Sequence, residues 1–329
     1  MSEVRNRLGK PAAAAAAAVV LSLTASGCVT VHGELEVVPT TTKAAAARAL
    51  DVFLTAYNKA DKTYDRDADA KYVTGALGAI DAAKLKAGHT VSPQGNPKHA
   101  PLKLTDTNFT IPKKAGWPRW FLTDSANNRV ANSRWVMVFT RNAENEPWAV
   151  SYLTLFGKDG VPELKKDADG FGEAVPADAK GLAMRPRDLA GKYTAYLKSD
   201  DDAGFAAGSY TSQWRANRKK NESRPGLSTQ FIDEPLTSGD YAPLALRTKD
   251  GGALVFFTLR RYEKQTASPG SDLPGISPSV KALMTGDAKQ SATYGYVAGQ
   301  VALDPARGAA GDGVSVLSRV EGITTAEGA

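Results

Sequence analysis

The sequence is poor in the residues that carry most covalent and metal chemistry. It has one cysteine, Cys28, and three histidines, His32, His89 and His99. A single thiol forms no internal disulfide, which excludes a disulfide-stapled scaffold. The histidines lack the H-E-x-x-H spacing that sets two imidazoles on one helix face, and no metal site is expected from them. There is no G-x-S-x-G elbow, and a serine hydrolase would have to take its base from those three histidines. The phosphate-cradling G-x-x-x-x-G-K-[ST] pattern is missing too. Two acidic runs fall short of a calcium loop. Asp65, Asp67 and Asp69 are followed by Ala70 where the loop needs glycine and Ala76 where it needs a bidentate acid. Asp167, Asp169, Gly172 and Asp178 keep the spacing, but Phe171 replaces an oxygen ligand and Pro176 intrudes. No cofactor is expected.

The N-terminus is more informative. Arg5, Arg7 and Lys10 precede an uncharged run over residues 11–27 that includes seven consecutive alanines. A charged segment before a weakly apolar one reads as a removable signal rather than a spanning helix. Ala25-Ser26-Gly27-Cys28 resembles the lipobox of bacterial lipoproteins, with Ala25 where a branched residue is usual and Leu23 two positions earlier. That resemblance implies cleavage before Cys28 and diacylglycerol on its sulfur. The protein would then sit on the extracytoplasmic face of the cell membrane. Cleavage lowers the formal charge from +6 to +4, because three basic residues and Glu3 leave. A mildly basic envelope protein meets anionic lipids, wall polymers or other envelope proteins, and nucleic acid is not an expected partner.

Residues 28–42 end in Pro39-Thr40-Thr41-Thr42 and read as a tether. From residue 43, Leu50, Phe53, Leu54 and Tyr57 recur at helical spacing, and a second helical stretch covers 68–86. A polar segment over 88–101, holding His89 and His99, breaks the pattern. Strand-like runs follow at 102–111, 117–123, 134–141 and 148–156, rich in aromatic and β-branched residues. Helices followed by a meander make residues 43–156 a first α+β domain. Residues 157–186, rich in Lys, Asp, Gly and Pro, read as a linker.

The opening then recurs. Residues 48–61 align without gaps on 187–200 with seven identities in 14, including Leu50/Leu189, Thr55/Thr194, Tyr57/Tyr196, Lys59/Lys198 and Asp61/Asp200. Strand candidates follow at 227–232, 242–248, 253–262, 292–303 and 313–323. A Pro/Gly-rich insertion over 265–290, with a short helix near 280–284, reads as solvent-exposed decoration. The second α+β domain would thus cover 187–324, leaving 325–329 as a tail.

The lipobox, the repeated Thr55-Ala56-Tyr57 and Thr194-Ala195-Tyr196 helix and the strand Trp135-Val136-Met137-Val138-Phe139-Thr140 resemble uncharacterised actinobacterial lipoproteins. Each half is similar to the nuclear transport factor 2-like cone. That resemblance implies two tandem domains, each with an N-terminal helix packed on a curved antiparallel sheet. No catalytic motif comes with it. A cone would gather Trp117, Trp120, Trp135 and Trp148 beneath its helix, where they fill the core or line a pocket. Arg215, Arg218, Lys219, Lys220 and Arg224 form a basic run that reads as a solvated face or a contact for anionic envelope material. The functional expectation is a non-catalytic binding or interaction module. A small-molecule or lipid carrier is the second reading, and an enzyme the third.

Overall fold

Two stretches of the sequence are apolar at consecutive positions, 135–139 and 253–257, and a strand of that kind has both faces covered. The computed structural model, which describes residues 36–199, 201, 204–309, 311 and 313–329, shows what covers them. Cys28 and His32 lie outside the described residues, as does Asp200. In chain order the elements are β1 (Val38–Pro39), α1 (Lys43–Thr63), α2 (Gly75–Val91), β2 (Leu104–Thr110), β3 (Pro112–Lys114) and β4 (Arg119–Asn127). Then come β5 (Ser133–Arg141), β6 (Ala149–Gly157), β7 (Gly172–Glu173), α3 (Pro186–Lys198), α4 (Ser212–Asn221), β8 (Ser223–Arg224) and β9 (Leu227–Leu236). The last are β10 (Leu244–Arg247), β11 (Ala253–Ala267), α5 (Pro278–Lys281), β12 (Met284–Thr285), β13 (Ser291–Asp304) and β14 (Ser315–Gly328). The fold class is α+β.

The first sheet is antiparallel in the order β2-β4-β5-β6, and the second runs β12-β14-β13-β11-β9-β8 with β10 also on β11. A helix covers the outer face of each. Thr42 caps α1 by accepting from the Ala45 N–H at 3.1 Å. Leu50, Phe53 and Tyr57 then share one face and pack on Phe121, Trp135, Met137 and Phe139. Phe53 stacks on Tyr57 at 5.2 Å and meets the Phe139 ring edge-on at 5.8 Å. In α3, Pro186 opens the first turn, and Leu189, Tyr193 and Tyr196 pack on Val255, Phe257, Leu259, Ala302 and Val316. Leu50 and Tyr57 are thus buried under the first sheet as Leu189 and Tyr196 are under the second.

The inner faces of the two sheets meet each other. Trp120, Leu122, Val136, Val138, Tyr152 and Phe156 form a single core with Leu246, Leu254, Phe256 and Val301. The Tyr152 hydroxyl accepts from Thr258 Oγ1 at 3.1 Å within this layer. The layers therefore run helix, sheet, sheet, helix, and the two halves share their central core. Helix α2 rests on both β6 and β14.

A polar clasp closes one end of the junction. Asp240, in the 3-10 turn Gly239–Tyr241, accepts from Thr74 Oγ1 at 2.5 Å and from Asn142 Nδ2 at 3.0 Å. Beside it Gly75 has φ +53°, and a Cβ there would meet the Asp240 carbonyl oxygen at 2.5 Å. Gly75→Val should therefore destabilise the protein by about 2 kcal/mol through backbone strain and the clash, with the β-branched side chain unable to move aside. Denaturant unfolding of the variant beside wild type measures it.

Several boundaries shift from those read in the sequence. Val38 and Pro39, counted in the tether, pair with β3, and Thr40 is buried with its hydroxyl donating to the Trp120 carbonyl. Residues 157–186 are not a free linker. Leu164 bridges Thr248, Ala174 bridges Leu246, and Leu182 and Met184 enter the core under α3. The acidic run 167–178 there is a turn, in which Asp167 Oδ1 accepts from the Asp169 and Phe171 N–H groups and Lys113 pairs with both acids at 2.7 Å. The tail expected at 325–329 belongs mostly to β14. Helix α2 begins later than residue 68 and runs to Val91, which puts His89 on a helix rather than in a loop.

Candidate functional site

The four tryptophans do not gather on one face. Trp135 and Trp148 pack under α1, whereas Trp120 points into the layer between the sheets. Successive strand residues face opposite ways, and Trp120 has the parity of Leu122 while Phe121 takes the helix side. Trp117 lies before β4, with the Arg119 and Arg141 guanidinium groups over its ring at 5.0 and 5.2 Å. Core filling accounts for Trp120, Trp135 and Trp148, and Trp117 serves as a platform for arginines.

The basic run divides as well. Most of it is α4, whose last turn carries Arg218, Lys219 and Lys220, with Arg224 just beyond. Lys219, Lys220 and Arg224 are exposed. Arg215 lies over the Tyr196 ring at 4.3 Å and donates to the Ser199 and Asp201 carbonyls. Arg218 is a correction to the expected surface patch, for it is 5% exposed and pairs with the buried Asp233 through two bonds of 2.5 and 2.8 Å. Helical geometry turns it inward between two outward neighbours. Beside it a cleft of about 350 Å³ is lined by Lys198, Arg215, Arg218, Lys219, Glu222 and Asp233, among others.

Arg218 adjoins a stretch of the second sheet that changes from apolar to polar. On β11 the odd-numbered residues face α3, apolar as Val255, Phe257 and Leu259 and then polar as Arg261, Glu263 and Gln265. Neighbouring strands change character at the same level, with Asp233 paired to Arg261 on one side and Tyr296 on the other. Arg261 is 4% exposed, stacks on Tyr296 at 3.7 Å and donates to Glu263 at 2.9 Å and Glu321 at 3.3 Å. Trp214, from α4, covers this end of the face. Arg319 lies over its ring at 3.7 Å, Arg218 at 5.0 Å and Arg261 at 5.6 Å. Burial, with Arg261 and Arg218 adding to it, disfavours the charged form of Arg319, and Glu321 opposes them.

Polar satisfaction is incomplete there. Trp214 Nε1, Arg218 Nε, Arg261 Nε, Gln300 Oε1 and Thr229 Oγ1 are all buried without a hydrogen-bond partner, while Glu321 Oε2 has only Arg319 Nε at 3.7 Å. Buried donors and acceptors are rarely left orphaned unless a ligand or water completes them. At the open end of the face is a cleft of about 250 Å³ walled by Glu263, Gln265, Tyr294, Tyr296 and the loop holding Ile276, Ser277 and Val280. Sequence reasoning missed Arg261, Arg319, Glu263 and Glu321. The available signal was the change along β11 from apolar to charged residues at unbroken alternation.

A second polar network lies in the first half. Asp61, 5% exposed at the end of α1, accepts from Lys84 Nζ at 2.6 Å and contacts His99 Nδ1 at 2.9 Å. Burial alone would raise the Asp61 carboxyl, but those two bonds outweigh it and hold it below the usual range. Asp69 and Asp81 are also buried, with one oxygen of each unpartnered by other groups. Burial and the neighbouring Asp81 push the Asp69 carboxyl up to about 8. Among the described residues no cluster of His, Cys, Asp and Glu is arranged to hold a metal ion.

The profile of a domain of unknown function, DUF8094, matches residues 37–328. An uncharacterized lipoprotein of Streptomyces coelicolor is 58% identical over 98% of this chain and 96% of its own length. An uncharacterized lipoprotein of Streptomyces avermitilis is 57% identical over the same shares. A second uncharacterized lipoprotein of Streptomyces coelicolor is 25% identical over 89% of this chain and 87% of its own. No solved structure matches the chain. No described helix is long and apolar enough to cross a membrane.

Proposed function

The chain belongs to the DUF8094 family, and we propose that it is an envelope lipoprotein, anchored through lipid on Cys28 at the extracytoplasmic face of the cell membrane, acting there as a non-catalytic binding module. The observation that carries the binding role is the half-polar face of the second sheet, where Arg218, Arg261 and Arg319 surround Trp214 and buried polar atoms lack partners. Guanidinium groups matched by Asp233, Glu263 and Glu321 hold a ligand rather than move protons, because arginine does not deprotonate in proteins. The relatives' description as lipoproteins and the cysteine after a small-residue run support the anchor. Helices α1 and α3, each across the outer face of a sheet, support reading the halves as two nuclear transport factor 2-like cones set back to back. Exposed Lys219, Lys220 and Arg224, with Arg215 beside them, would face anionic lipids or wall polymers once the chain is tethered. Arg218 takes no part in that contact.

Expression with the native signal tests the anchor. Wild type should incorporate labelled palmitate and be processed before residue 28, and Cys28→Ser should lose both. Label retained on the variant would overturn the lipid assignment.

A further inference from the structure

The cleft at the open end of the second sheet has the chemistry of one class of ligand. We propose that it binds a single neutral saccharide ring, with Tyr294 and Tyr296 as the stacking surface and Glu263 and Gln265 as the hydroxyl-reading groups; this rests on the binding-module reading above. Its volume of about 250 Å³ equals roughly eight waters, which suits one hexose ring and not a lipid chain. Two walls differ in kind. On one side Ile276 and Val280 of the insertion join Tyr294 and Tyr296 in an apolar cluster. On the other, Gln265 Nε2 donates to Glu263 Oε1 at 2.8 Å and Arg261 donates to Glu263 Oε2 at 2.9 Å. A sugar ring matches that asymmetry, since its C–H faces lie on aromatic rings while its hydroxyls lie in the ring plane.

Charge balance selects for neutrality. An anion would need a guanidinium without a carboxylate, but Arg261 is shared between Glu263 and Glu321. A cation would need a free carboxylate, and Glu263 is already matched by Arg261. What remains is hydrogen-bonding capacity of both signs among the groups that line the cleft, in the lone pairs left on Glu263 and in the Gln265 amide, of which one N–H is spent on Glu263. A hydroxyl donates and accepts at once and can use both. The insertion over residues 265–290, read from the sequence as decoration, thereby becomes one wall of a site.

The test uses the mature chain beginning at residue 29, which carries neither the apolar segment nor the lipid, so that no sugar-bearing detergent is needed. Glucose, mannose and N-acetylglucosamine are titrated with saturation-transfer NMR and hydrogen exchange as readouts, beside inorganic phosphate and palmitate. At least one sugar should bind with a dissociation constant on the order of millimolar, as a small ligand in an open cleft does, and protect residues 260–265 and 292–297. Gln265→Ala and Tyr296→Ala should each weaken it tenfold or more, with unfolding curves confirming that the variants fold. Binding undiminished in both variants would place the sugar elsewhere and overturn the proposal. Protection of these residues by phosphate or palmitate but by no sugar would overturn the saccharide assignment and leave the binding face standing. Protection by none of the probes would overturn both.

Discussion

Replacing Arg218 by methionine is expected to destabilise the protein by about 3–5 kcal/mol, because Asp233 would be left charged, buried and unpaired. The two-bond match of guanidinium to carboxylate should make Arg218→Lys a poor rescue, since an ammonium is a point charge that cannot span both oxygens. Removing both charges tells the desolvation cost from the worth of the pair. Arg218→Met combined with Asp233→Leu should recover most of the loss, because apolar replacement of a buried pair is often neutral. Lys220→Ala, at an exposed position on the opposite face of the same helix, should stay within about 0.5 kcal/mol of wild type. Urea unfolding of the four variants measures the series. A loss at Lys220 equal to that at Arg218 would mean that α4 as a whole, and not the pair, is the sensitive element.

A comparable effect is expected from pH through Asp69 and Asp81. The two carboxyls are buried together, and a proton shared between them relieves the repulsion. Asp69 is pushed up to about 8 by burial first and Asp81 second, and Asp81 is also raised, by burial, although Lys84 opposes it. In the unfolded chain an aspartate titrates near 4. A folded value above the unfolded one means that the native state binds the proton more tightly. The stabilisation is therefore complete below pH about 4 and is lost as pH rises through about 8. The loss should reach several kcal/mol across that window, whereas carboxylates such as Asp61, held low in the folded state, lose their contribution only below it, as pH falls under the unfolded value of about 4. Asp69→Asn keeps a donor for Asp81 and removes the titration, so its stability should be flatter between pH 5 and 8 than that of wild type. Unfolding midpoints across the range decide it. A wild-type slope unchanged by Asp69→Asn would show that the pair does not share a proton.

The two helices that cover the sheets were legible because Leu50, Phe53 and Tyr57, and Leu189, Tyr193 and Tyr196, recur at helical spacing, which is a property of the local chain. Strands β4, β5, β6, β9, β11, β13 and β14 were legible for a similar reason. Trp120 was placed on the wrong side because its face depends on where the strand begins, and a shift of one residue reverses every side chain. Arg218 was read as a surface charge because composition does not reveal that α4 turns it toward Asp233, 15 positions away.

The sequence by itself determined the class of fold, the lipobox-like motif near its N-terminus, and the order of helices before meanders, since these rest on short-range periodicity and local motifs. Only the tertiary structure decided that the two sheets pack face to face in one core, that Asp69 and Asp81 are buried together, and that Trp214 collects three arginines. Each of those juxtapositions joins residues from separate elements. Burial and charge pairing between such residues are set by how whole layers dock, and no stretch of neighbouring residues encodes that alone.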